Sequence, residues 1–232
     1  MRWHLERQKR LAEEEGTIFK DWGGRMSVGL VYPNAYRVGM ANLGFQAVYR
    51  LLNLLDGIVC ERIFCEGHEP ISLESGRPPG DFDVLAFSFS YEQDYFNAAA
   101  FLRASGLPLL ASNRDRTHPL LLAGGAAVTA NPEPLAEIVD AFAIGEAEAV
   151  LPHLVPVLLD GLDLPRPELF RELDRLPGIY VPHTSTGAAT RQWAGDLGDF
   201  TTGSTVLSPR AEMGEMYLME IARGCPHGCR FC

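Results

Sequence analysis

Between residues 27 and 144 the apolar positions fall into five short, almost unbroken runs, at 27–32, 58–64, 83–89, 120–123 and 140–144. Each is followed by a loop and then, in most cases, by a stretch with helical spacing. Runs of that length with no polar alternation predict strands buried on both faces, which is the pattern of a parallel sheet rather than a one-sided antiparallel one. Helices are expected at 2–15 on the surface and stopped by Gly16, and at 43–56. Further helices are expected from Ser90, as N-cap, to about 104, after Asn131 and Pro132, and beyond 145, where Pro152 and Pro156 should interrupt the last.

Strands alternating with helices, joined by right-handed crossovers, give an α/β domain with a doubly wound parallel sheet, Rossmann-like or flavodoxin-like. Such sheets bind ligands at the carboxyl ends of their strands, here the loops 33–42, 89–92, 124–127 and 145–148. The chain divides into a helical extension at 1–26, the sheet domain at 27–165, a connector at 166–214 with a short helix and a hairpin, and a new apolar run at 215–232. The connector assignment rests on Pro165, Pro167, Pro177 and Pro182 and on the Gly, Ser and Thr content of 184–208.

Charge narrows the function classes. The 232 residues carry a formal net charge of −10, so a phosphate-binding face is not indicated, because nucleic-acid recognition leaves a basic patch. No apolar run approaches the roughly 20 residues of a membrane span, and residues 2–15 have no signal-peptide core. A cytoplasmic location is expected.

The chemistry concentrates in the last eight residues. Cys225, Cys229 and Cys232 stand at C-x3-C-x2-C spacing, with Pro226, Gly228 and Phe231 in the spacers. Thiolates this close in one loop suit an iron-sulfur cluster, and three ligands leave one iron of a four-iron cube open. Structural zinc would need a fourth ligand, and His227, wedged between Cys225 and Cys229, is poorly placed for it. Free thiols without a role are the other reading. Cys60 and Cys65 sit in a strand on opposite faces and read as buried apolar residues rather than a metal pair.

With the run 216–224 (M-Y-L-M-E-I-A-R-G) leading into these cysteines, the sequence resembles the radical S-adenosylmethionine (radical SAM) superfamily. The resemblance implies a 4Fe-4S cluster on Cys225, Cys229 and Cys232, with S-adenosylmethionine on the open iron and Phe231 in the motif's aromatic position beside it. It implies reductive cleavage to a 5'-deoxyadenosyl radical, an electron donor such as flavodoxin or ferredoxin, and a run at 216–224 that forms the first strand of a (β/α) barrel. The motifs D-V-L-A-F-S-F-S, L-L-L-A-G-G and I-G-E-A-E resemble the cobalamin-binding-type domain of one branch of the superfamily. For cobalamin the candidate residues are Ser88, Gly124, Gly125, Gly145 and Glu146, and methyl transfer would be a reaction open to it.

The glycines could let a flat ligand approach the backbone, or could be strand-end turns in an empty scaffold. Glu146 also suits a helix start, where a carboxylate is favoured. The histidine ligand motif D-x-H-x-x-G is missing, since His68 lies in E-G-H-E-P and His118 in R-T-H-P-L. A bound corrin would therefore lack an axial histidine from this chain. A non-catalytic corrinoid-binding or interaction module is the alternative from another class. A methylthiotransferase-like enzyme is weaker, because only Cys60 and Cys65 precede the terminal motif. Neither substrate nor oligomeric state is legible. Because the sequence stops on the third thiol, it is expected to lack the rest of a barrel, to be inactive alone, and to pack its tail only loosely on the sheet domain.

Overall fold

The computed structural model describes residues 2–66, 70–187, 189–201, 203–224 and 227–230. The order is α1 (Arg2–Glu13), β1 (Met26–Tyr32), α2 (Tyr36–Met40), α3 (Leu43–Asn53), β2 (Ile58–Phe64), β3 (Val84–Ser88), α4 (Asp94–Ala104), β4 (Leu120–Gly124), α5 (Ala126–Ala130), β5 (Ala141–Ala143), α6 (Ala147–Gly161), α7 (Arg166–Asp174) and β6 (Ile179–Tyr180). The strands form one sheet in the order β2-β1-β3-β4-β5-β6. The first five are parallel and β6 joins antiparallel to β5. This is the doubly wound α/β arrangement expected of the apolar runs, with the order of the flavodoxin-like branch.

Alternation along the strands sorts the core into two layers. Leu30, Cys60, Val84, Leu120 and Leu122 face α3, α6 and α7 and pack on Phe45, Tyr49, Leu154 and Leu169. Val31, Ile63, Leu85, Phe87, Leu121 and Phe142 face the other way, toward α4 and α5, and pack on Phe101, Leu102 and Val128. Asn42 caps α3, its Oδ1 accepting from Phe45 N at 2.8 Å. A side-chain oxygen there satisfies a helix-start N–H that would otherwise be unpaired.

Strand β2 is at the sheet edge, yet all seven of its residues are buried, including Glu61 and Arg62. Residues 72 and 73 cover the edge, with Leu73 N donating to Arg62 O at 2.7 Å. The guanidinium of Arg62 is held between Glu74, 2.6 Å from Nε, and Glu14, 2.6 Å from Nη2. The aromatic ring of Tyr49 lies 4.9 Å below it. On the opposite face of β2, Glu61 accepts from Trp22 Nε1 at 2.7 Å and from Ser75 Oγ at 2.6 Å. An edge strand sealed in this way offers no free ladder to another chain.

Several elements depart from the pattern reading. Helix α6 runs unbroken through Pro152 and Pro156. Both prolines are on its exposed side, where the carbonyls left without an N–H partner can turn to water. Helix α4 begins at Asp94 rather than at Ser90. Asn131 and Pro132 open a single 3-10 turn at Glu133–Leu135, and the helix of that region, α5, comes before them.

The stretch expected as a connector contributes Leu169, Leu173, Ile179 and Val181 to the core. Nor is the first part of the tail loose. Val206 and Ser208 are buried, and Thr205 N and Val206 N donate to Gln46 Oε1 at 2.8 and 2.9 Å. The run expected as a first barrel strand makes one bridge, Met219 with Gly203, and otherwise has no strand pairing among the described residues. No helix among the described residues is long and apolar enough to cross a membrane.

Candidate functional site

A cavity of about 370 Å³ lies between the sheet and the helix pair α3 and α6, opening at the carboxyl ends of β1, β3, β4 and β5. Its cause is a patch of small side chains. On the face that carries Leu30 and Leu122, β3 presents Ala86 and Ser88, β4 presents Gly124, and β5 presents Ala143. Register brings these together, with Ser88 beside Gly124 and Leu122 beside Ala141, which sets Ala143 next to Gly124. Gly44 and Ala47 of α3 and Ala147 of α6 are small too, so helix and sheet cannot close on one another. Val28, Leu30, Leu154 and Leu158 line the deeper, apolar part.

The mouth is polar. Ser90 Oγ accepts from Asn42 Nδ2 at 3.0 Å and faces the Tyr32 hydroxyl at 3.4 Å, so this serine joins the carboxyl ends of β1 and β3 instead of capping α4. Burial, chiefly, pushes the Tyr32 phenol above its ordinary value. Across the opening, Glu146 stands at the N-cap position of α6, but its side chain makes no cap hydrogen bond. Its Oε2 accepts from Ala194 N at 2.7 Å and lies 3.2 Å from Arg223 Nη1. Glu148 lies 2.5 Å from Arg223 Nη2, and Glu220 lies 2.8 Å from Arg223 Nε. Burial, the largest single influence, would raise the Glu148 carboxyl, but the hydrogen bond and charge of Arg223, together with a hydrogen bond from its own backbone N–H, hold the group below its usual range.

All five residues expected to meet cobalamin, Ser88, Gly124, Gly125, Gly145 and Glu146, line this one cavity. The glycines have different reasons for being glycine. Gly125 has φ +105°, and a Cβ on it would lie 2.4 Å from Phe89 O. Gly145 has φ +129°, and a Cβ there would lie 2.3 Å from Gln192 O. Both are required by the backbone that packs against them, not by room for a ligand. Gly124 is unlike them: its missing Cβ has only ordinary contact with Ala143, at 3.7 Å, and space beyond.

Asn42, Ser90 and Glu148 at the mouth fall within the expected strand-end loops 33–42, 89–92 and 145–148 without having been singled out as site residues, whereas sequence reasoning missed Arg223 at the mouth and Ala86 and Ala143 on the floor. A readable signal existed in D-V-L-A-F-S-F-S, where every second residue from Ala86 is small while Leu85, Phe87 and Phe89 are large. None of the described residues lining the cavity is a histidine. His118 precedes β4 at the amino end of the sheet, paired with Asp115 at 3.0 Å, and His68 lies outside the described residues.

Of the proposed cluster ligands, Cys229 is exposed, while Cys225 and Cys232, with Phe231, lie outside the described residues. Among the described residues no group of three His, Cys, Asp or Glu side chains is placed to hold a metal. Cys60 and Cys65 pack into opposite layers of the core, as strand alternation requires. Burial, with Asp94 and Glu66 adding to it, pushes the Cys65 thiol up to about 12, and Cys60 is raised as well. Neither behaves as a ligand thiolate, which needs the opposite shift.

Comparison with known proteins shows the family. Residues 44–182, more than half of the chain, match the family described as "Radical SAM proteins, N-terminal". The chain belongs to that family. It is also 26% identical over 209 residues to an uncharacterized protein of Methanocaldococcus jannaschii, an alignment covering 89% of this chain and 40% of that relative. The chain thus spans well under half the length of the curated relative it matches. No solved structure matches it.

Proposed function

We propose that this chain is the cofactor-gathering part of a radical SAM enzyme, in which Cys225, Cys229 and Cys232 hold a 4Fe-4S cluster and the strand-end cavity takes part of a cobalamin. The observation that carries the reading is the meeting of two features at one end of the sheet. The cavity opens there, and Arg223, two residues before the first cysteine, is tied to the cavity's rim.

The residues present fit both groups. Three soft sulfur donors within eight residues suit iron. Gly124, Ser88, Ala86 and Ala143 form a cradle that larger side chains would fill, as an enclosed apolar arm of a cofactor needs. When bound, the cluster and S-adenosylmethionine supply one-electron cleavage of the sulfonium, and cobalamin would add methyl-group chemistry. The chain's own residues position and exclude. Leu30, Leu154 and Leu158 keep water from the deep end, and Ser88 and Ser90 offer hydroxyls at the mouth. None of the described lining residues is a histidine, so none of them would offer a bound cobalt an imidazole.

The electron for cleavage would come from a donor of the flavodoxin or ferredoxin class. A methylthiotransferase-like role is disfavoured by Cys60 and Cys65, which pack into opposite layers of the core and so cannot share a second cluster.

Anaerobic reconstitution of the full-length protein should give about four iron atoms per chain. Cys225→Ala, Cys229→Ala and Cys232→Ala should each abolish the charge-transfer absorbance of the cluster. Stoichiometric zinc in place of iron would overturn the cluster assignment. Hydroxocobalamin binding without any cluster would favour the non-catalytic corrinoid module instead.

A further inference from the structure

The roof of the cavity is made by the tail. Ser204 N donates to Leu218 O and Leu218 N to Ser204 Oγ, both at 2.9 Å, so 203–205 and 217–219 form a small clip across the mouth. One side of the clip is tied to α3, where Arg50 Nη2 donates to Thr201 O at 2.7 Å. The other side is tied to α6 through Arg223. Each of the three guanidinium nitrogens of Arg223 faces a different carboxylate, Glu220 on its own segment and Glu146 and Glu148 at the start of the helix. These contacts raise its pKa, led by the hydrogen bond to Glu148. Lysine could not reproduce such a fork.

We propose that Arg223 is a positioning residue that latches the segment leading into the cysteine motif to the rim of the cavity through Glu146 and Glu148. The proposal rests on the cluster reading above and extends it. Gly224, at φ +80°, is the single residue between Arg223 and Cys225, so the tie at Arg223 fixes the described chain directly before the cysteine motif begins. A partly buried, charge-assisted set of this kind has the strength for that role.

The test compares full-length wild type with Arg223→Gln, Glu148→Gln and the double variant. Arg37→Gln serves as control, since it breaks an exposed pair with Glu212 on the same tail but away from the rim. Iron content should be equal in all five, because the cysteines are untouched. Amide exchange at Leu218 should rise roughly tenfold in each rim variant and no further in the double, as expected of partners in one interaction. The EPR line shape of the reduced cluster should change in the rim variants and not in Arg37→Gln. Additive exchange effects, or an unchanged EPR spectrum in Arg223→Gln, would overturn the latch. A wild type without any cluster would instead sink the function proposed above, and the exchange data would still decide whether Arg223 ties the tail to α6.

Discussion

Arg62→Met should lower the unfolding free energy by about 3–5 kcal/mol, read as a lower urea midpoint at unchanged slope. In the native protein the Arg62 side chain is 1% exposed, and Glu14 and Glu74 are 0% and 2% exposed. Removing the cation leaves two carboxylates buried without a counter-charge, and methionine fills the volume without replacing the hydrogen bonds. Arg62 N also donates to Glu74 Oε2 at 2.7 Å, so Glu74 cannot swing out to water without breaking the cover of the β2 edge.

The sign of the pH dependence follows from Glu74. Burial already pushes its carboxyl above the ordinary value even with Arg62 beside it. In Arg62→Met that push is unopposed, so the folded state holds the Glu74 proton to higher pH than the unfolded chain does. Stability contributed by that proton is fully present below the unfolded pKa and is lost as pH rises through the raised folded one. The variant should therefore lose less stability relative to wild type at pH 5 than at pH 8. A loss under 1 kcal/mol at pH 8 would mean that water reaches the pair.

The sheet was legible because its signal is coarse. Five apolar runs, each buried on both sides, leave little choice but a parallel sheet, and the expected 58–64 strand coincides with β2. What the runs could not show is that Glu61 and Arg62, inside the second of them, would be buried charges. Their partners, Glu14, Trp22, Glu74 and Ser75, are up to 48 residues away in the chain. The floor of the cavity was half legible: alternation in β3 puts Ala86 and Ser88 on one face, but their alignment with Gly124 and Ala143 is a property of register across three strands. Arg223 read as the end of a strand. Only the fold brings it to Glu146 and Glu148, 75 residues earlier in the case of Glu148.

The adjacent glycines Gly124 and Gly125 should respond in opposite ways to substitution, although they look equivalent in L-L-L-A-G-G. Gly125 has φ +105° and ψ 177°, a region essentially closed to side chains. Occupying it with alanine costs about 1–3 kcal/mol. Moving Phe89 away from a Cβ 2.4 Å from its carbonyl adds a comparable amount, roughly 1–3 kcal/mol for overpacking. Gly125→Ala should therefore lower the thermal midpoint markedly and loosen the turn into α5, whose Ala127 N donates to Phe89 O at 3.2 Å. Gly124 has an ordinary backbone and only Ala143 within contact, so Gly124→Ala should leave stability equal or slightly raised, by up to about 1 kcal/mol through the stiffer unfolded chain. Gly124→Leu goes further. On the alternation of β4 its side chain shares a face with Leu120 and Leu122 and enters the cavity beside Ser88. That variant should fold with a near wild-type midpoint and lose hydroxocobalamin binding in equilibrium dialysis. Retention of wild-type affinity in Gly124→Leu would place any corrinoid outside the cavity, and a Gly125→Ala midpoint within a degree of wild type would mean that the turn at Phe89 is not the constraint its geometry implies.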